Sequence, residues 1–111
     1  MMRVGEYVEK GLKNALEEKP EGYSELGKCT SGCHSVSFFL KGSPESVEDI
    51  KFKATKRCKK LLAVADFAAE RIKEKGKVYI DEEEILGFFS EEKEKDKLRD
   101  RIQMVKKALG L

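Results

Sequence analysis

The sequence predicts an α+β fold in which helices cover one face of a small antiparallel sheet. Three observations lead there. The chain opens with apolar residues at helical spacing, and its middle holds two alternating segments around a turn. Its second half then returns to helical spacing.

Over residues 4–19, Val4, Tyr7, Val8, Leu12, Ala15 and Leu16 fall on one helical stripe. Gly5 and Gly11 weaken this helix and Pro20 ends it. Residues 21–32 are turn-rich, with a short strand around 23–26. Val36, Phe38 and Leu40 share one face of a strand over 36–41. Ile50, Phe52 and Ala54 share a face of a second strand over 47–55, against Asp49, Lys51, Lys53 and Thr55. Gly42-Ser43-Pro44-Glu45 supplies the turn between them, so the pair reads as an antiparallel hairpin.

A long helix begins near Cys58 and runs to about Lys75, where Gly76 closes it. Leu61, Leu62, Ala65, Ala68, Ala69 and Ile72 form its apolar stripe, and the alanines let it lie close to the sheet. Val78-Tyr79-Ile80 is an extended link. Asp81 is the N-cap of the next helix, with Glu84 in capping-box position. That helix carries Ile85, Leu86, Phe88 and Phe89. Ser90 is then the N-cap of a last helix whose Leu98, Ile102, Val105 and Leu109 share one face. The acidic clusters 82–84 and 91–92 read as first-turn charges that complement the helix dipoles.

A length of 111 residues fits one domain, 1–111, with a modest core. Apolar residues make up 40% and charged residues another 40%, too much apolar content for disorder. The net charge of +2 leaves no global field that would favour nucleic acid or membrane. No apolar run approaches the roughly 20 residues of a membrane span. The first residues lack the apolar centre of a secretion signal, so a cytoplasmic location is expected. The three cysteines are then reduced thiols, read as ligands or nucleophiles before disulfides.

Cys29, Cys33 and His34 lie together in Cys29-Thr30-Ser31-Gly32-Cys33-His34, a spacing that places both thiols on one loop. Two soft thiolates with an adjacent imidazole suit zinc, iron or an iron–sulfur cluster. A c-type haem motif is excluded, because three residues rather than two separate the cysteines. Cys58 stands where a strand gives way to a helix N-terminus, among Lys56, Arg57, Lys59 and Lys60. Both features favour thiolate over thiol. The competing readings are a loop with two ordinary thiols and a core cysteine that opens the helix. Enzyme templates fail: His34 is the only histidine, and there is no nucleophile elbow, phosphate-cradling loop or dinucleotide fingerprint, although a Cys58–His34 pair is formally possible. The run Lys51, Lys53, Lys56, Arg57, Lys59 and Lys60 could serve a small basic nucleic-acid-binding domain. No aromatic platform accompanies it, and a solvated strand face is the simpler reading.

From Cys33 through about Lys75 the chain resembles the NifU/IscU-type iron–sulfur cluster scaffold family. A cysteine opens a strand, and a hairpin carries Val47-Glu48-Asp49-Ile50-Lys51-Phe52-Lys53. A second cysteine, Cys58, then starts an Ala-rich helix ending in Arg71-Ile72-Lys73. The resemblance implies one domain with a three-stranded antiparallel sheet packed by helices. It implies no enzyme activity, but a scaffold that receives sulfur from a cysteine desulfurase and passes a transient iron–sulfur cluster to apo acceptor proteins. Cys33 and Cys58 match the family's first two cluster cysteines. Ser35 stands where the family has aspartate, and the position of its third cysteine falls at Lys97 or a neighbour. The chaperone-recognised Leu-Pro-Pro-Val-Lys segment is absent. Cys29 is the candidate replacement thiolate and His34 the candidate fourth ligand. The alternative within the same resemblance is a diverged adaptor that binds zinc or carries sulfur without assembling clusters.

Overall fold

The computed structural model describes residues 2–111. In chain order it holds α1 (Val4–Glu9), β1 (Ser24–Ser31), β2 (His34–Ser43), β3 (Ser46–Ala54), α2 (Lys59–Lys75), α3 (Glu82–Phe88) and α4 (Lys95–Ala108). The strands pair antiparallel in the order β1-β2-β3. The fold is therefore α+β, with a helix before a three-stranded sheet and helices after it, as expected.

Alternation does what the sequence required of it in β2 and β3. Phe38 pairs with Phe52 and Leu40 with Ile50 across the two strands, and all four are buried on the helix side. On that side α2 packs against β3, while α4 packs against β1 and β2. Ala63, Ala65, Ala68 and Ala69 are buried among the larger Leu61, Val64, Phe67 and Ile72, and at the alanines α2 can lie close to its neighbours. Gly76 ends α2 in the left-handed region at φ 76° and donates its N–H to the Ile72 carbonyl at 2.8 Å. Asp81 caps α3 through its Oδ1, which accepts from the Glu84 N–H at 3.1 Å. Leu98, Ile102, Val105 and Leu109 are all buried beneath α4.

Three expectations are corrected. The first helix stops at Glu9, not at residue 19. Gly11 turns the chain at φ 102°, and residues beyond it run alongside β3. There Phe52 N–H donates to the Asn14 carbonyl (2.9 Å) and Leu16 N–H to the Phe52 carbonyl (2.8 Å). The buried Asp66 of α2 takes the N–H groups of Lys13 and Asn14 (3.0 and 2.8 Å), which a continued helix would have used internally.

The second correction concerns the cysteine segment. β1 extends through Ser31, and Cys29 lies within it, paired with Val36. Gly32 and Cys33 make a two-residue turn with Gly32 at φ 60°. The two thiols do not share a loop. Third, Ser90 caps nothing. α4 begins only at Lys95, after Glu94 at φ 57°, and the Ser90 carbonyl accepts from Lys95 Nζ at 2.8 Å. Glu91 and Glu92 are consequently loop residues, whereas Glu82, Glu83 and Glu84 do fill the first turn of α3.

Glycine has a specific role at position 27. A Cβ there would stand 2.4 Å from the carbonyl oxygen of Ala108, because α4 lies directly on β1. Gly27→Ala is expected to cost about 1–3 kcal/mol through this clash with backbone. The urea midpoint measures it, and a variant as stable as the parent would mean that α4 yields at Ala108.

Candidate functional site

The end of β3, the tip of the β1–β2 hairpin and the start of α2 meet at Thr55. Thr55 N–H donates to the Ser35 carbonyl at 3.0 Å, and Ser35 N–H donates to Thr55 Oγ1 at 2.8 Å. The Thr55 hydroxyl also reaches the Cys33 carbonyl at 3.4 Å. Three residues on, Cys58 N–H returns to the Thr55 carbonyl at 3.4 Å, and α2 begins. A strand-end turn thus sets the Cys58 segment next to the hairpin tip that carries Cys33 and His34.

Cys58 is the N-cap of α2. Its Sγ accepts from the Leu61 N–H at 3.4 Å, taking the part that Ser or Asp oxygen plays in most helices. The sulfur is buried, yet it faces one edge of an open cleft of about 630 Å³. Arg101, from the middle of α4, reaches the same sulfur: Nε–H donates to Cys58 Sγ at 3.2 Å. The other arm of that guanidinium stands 3.2 Å from His34 Nε2. Since Arg has only donors, His34 Nε2 accepts and its proton sits on Nδ1, which is buried without a partner.

Burial works against the charge of Arg101, but the Cys58 sulfur and the neighbouring Asp100 carboxylate together hold its guanidinium above the ordinary value. Opposite, Lys60 pairs with Glu92 at 2.9 Å and Glu94 at 3.7 Å. Burial pushes the Glu92 carboxyl up, and the Lys60 ammonium with the Val4 N–H outweighs it, so it lies below its ordinary 4.5. Both side chains of the Lys60–Glu92 pair are largely covered, at 16% and 11% exposure. Because the folded-state value is lowered, Glu92 contributes stability above about pH 4.5, and this is lost as the pH falls through the lowered value. Glu92→Gln is expected to cost about 1–2 kcal/mol at pH 7. The difference from the parent should shrink in acid, as chemical denaturation at the two pH values would measure.

Among the residues singled out from sequence, Cys58 and His34 are brought together, through Arg101. Cys33 is exposed at the hairpin tip, one residue from His34, and lines no part of the cleft. Cys29 is half-buried and packs against the core. Ser35 lines the opposite, open face of the sheet. Among the described residues, no three His, Cys, Asp or Glu side chains converge as a metal-holding group.

Sequence reasoning missed Arg101 and Glu92. The signal for Arg101 was present: it lies between Leu98 and Ile102, at the border of the apolar stripe of α4, where a long side chain runs along the core before reaching a polar end. The basic run from Lys51 to Lys60 is partly neutralised, since Lys51 pairs with Asp49, Lys56 with Glu17, and Lys60 with Glu92. Among the described residues no helix is long and apolar enough to cross a membrane. The chain matches no protein-family model and no curated protein.

Proposed function

We propose that this chain is a cytoplasmic scaffold-type acceptor of sulfur and iron. It would take sulfur on Cys58 from a cysteine desulfurase and hand on a transient iron–sulfur cluster to apo acceptor proteins. The observation that carries this reading is the Cys58 sulfur, which receives N–H donors from Leu61 and Arg101 in a cleft beside the hairpin tip bearing Cys33 and His34. The helix order around a three-stranded sheet also agrees with the scaffold family that residues 33–75 resemble.

The chemistry is acceptance, not turnover. The Cys58 thiolate attacks the outer sulfur of the donor's cysteine persulfide. The donor's S–S bond breaks, its cysteine thiolate leaves, and the outer sulfur stays as a persulfide on Cys58. Two N–H donors and the α2 N-terminus suit the anion on either side of that exchange. Iron or zinc, as cargo, would be held first by Cys58 and His34, and Cys33 would join only by turning in from the exposed hairpin tip. Cys29 contributes only by leaving its packing on the core.

A second reading is favoured by one observation: no three metal-ligating side chains converge among the described residues. On that reading Cys58 carries sulfur, and the chain is an adaptor without cluster assembly. The two separate in anaerobic incubation with a cysteine desulfurase, L-cysteine and ferrous iron, read for persulfide first and for absorption after a thiol reductant has been added to reduce the sulfane sulfur to sulfide. The scaffold reading expects sulfane sulfur on the Cys58 peptide and visible sulfur-to-iron absorption. The adaptor reading expects the sulfur alone. Absence of both, or loading that is unchanged in Cys58→Ser, rejects the proposal.

A further inference from the structure

We infer that Arg101 is a gate at this site, which holds the Cys58 and His34 lone pairs against bare metal cations and favours anionic sulfur. The inference rests on the reading of Cys58 as the loaded thiol. Cys58 Sγ and His34 Nε2 are the two soft donors that the fold brings to the cleft edge. Both are directed at one guanidinium, each at 3.2 Å. A divalent metal needs those same lone pairs and would have to approach through a fixed positive charge.

Anionic sulfur meets the reverse field. The guanidinium that repels a dication attracts a persulfide, and its planar fork offers N–H groups in two directions. Arg101 is also built to be held there. Its side chain is only 15% exposed, and it pairs with Asp100 on the outer side. That pairing gives the guanidinium a nearby anionic partner to turn toward when a metal does enter. The site thus orders its cargo: sulfur is admitted while Arg101 is in place, and metal only once Arg101 has swung aside. The absence of a late cysteine on α4 acquires a reason here, because the α4 side chain that meets Cys58 is a cation and not a third thiolate.

The test uses two probes whose responses have opposite signs. Cobalt(II) alone reports metal access through its thiolate charge-transfer band. Inorganic polysulfide reports sulfur access: the Cys58 thiolate attacks its terminal sulfur, the S–S bond breaks, and the shortened polysulfide dianion leaves. Arg101→Met removes the charge but keeps an apolar stem in place. It is expected to tighten cobalt binding roughly tenfold or more and to lower the fraction of Cys58 carrying sulfur. Arg101→Lys retains charge without the fork and should fall between Arg101→Met and the parent for both probes, so the inference survives if one variant folds poorly. Adding Cys58→Ser to Arg101→Met should remove the band.

Equal cobalt affinity in the parent, Arg101→Met and Arg101→Lys overturns the gate, and leaves the proposed function standing if sulfur still loads on Cys58. A fall of both responses in Arg101→Met also overturns it, since that is the mark of a merely structural role. If neither probe reaches Cys58 in any of the proteins, the gate and the proposed function fall together.

Discussion

Cys58→Ser is expected to reduce sulfur and iron loading to background while the chain stays folded. Serine is a better N-cap than cysteine, so the Leu61 N–H keeps an acceptor and α2 keeps its first turn. Arg101 Nε likewise still meets a hydroxyl oxygen. Stability should therefore change by no more than about 1 kcal/mol, and the loss of loading cannot be assigned to unfolding. What is lost is the soft, nucleophilic sulfur. Cys33→Ser acts at an exposed turn, so it should leave the melting temperature unchanged and lower iron retention more than sulfur uptake. Cys29→Ser should do the reverse. It places a hydroxyl against the core, at a cost of about 1–2 kcal/mol, and leaves sulfur uptake near the parent level. The measurements are peptide mass after thiol alkylation, bound iron, and thermal denaturation of each variant. A Cys58→Ser protein that loads as much as the parent sinks the assignment.

How much of this could be read in the chain depends on how local each cause is. The β2–β3 hairpin, α2 with Gly76, and α3 with Asp81 were legible because periodicity and cap chemistry act within a few residues. Leu12, Ala15 and Leu16 misled because their helical spacing is also compatible with an extended strip along β3. What decides between the two is Asp66, about fifty residues away in sequence. β1 was legible only at its start, since Gly27, Lys28 and Ser31 carry little strand signal and outweigh Thr30. Gly27 is there for the close approach of α4, a contact no local pattern announces. At the site, Cys58 was legible through the strand-to-helix junction and the cations around it. Arg101 was not, because its partner lies 43 positions earlier and only the packing of α4 over the sheet joins them. The β1–β2 pairing parts Cys29 from Cys33: one packs on the core and the other sits in the turn.

The largest expected effect on stability belongs to Asp66→Ala. The Asp66 carboxyl is fully buried and accepts four hydrogen bonds. Its Oδ1 accepts from Lys13 N–H, Asn14 N–H and Asn14 Nδ2, the last at 3.2 Å. Its Oδ2 accepts from the Tyr7 hydroxyl at 2.8 Å. Burial first, and then the bond to Asp66, push the Tyr7 phenol well above its ordinary range, which favours the protonated hydroxyl that donates here. Removing the acceptor leaves the two buried Asn14 donors and the part-buried Lys13 N–H and Tyr7 hydroxyl unpaired at once, and about 3–5 kcal/mol is expected from their combined cost. Tyr7→Phe removes only one of those donors and should cost about 1 kcal/mol. Its ring contacts with Phe67, Phe88 and Phe89 are kept. The consequence should be local before it is global. Asn14 and Leu16 are bonded to Phe52, so the Leu16 and Phe52 amides should lose hydrogen-exchange protection first as this strip detaches from β3. Detachment frees the flank of α2, the helix whose N-terminus holds Cys58. A variant that folds should accordingly load sulfur more slowly, even though Asp66 touches nothing in the cleft. An Asp66→Ala protein within about 1 kcal/mol of the parent would show that water replaces the carboxyl there, and the link from this buried acceptor to the site would be lost.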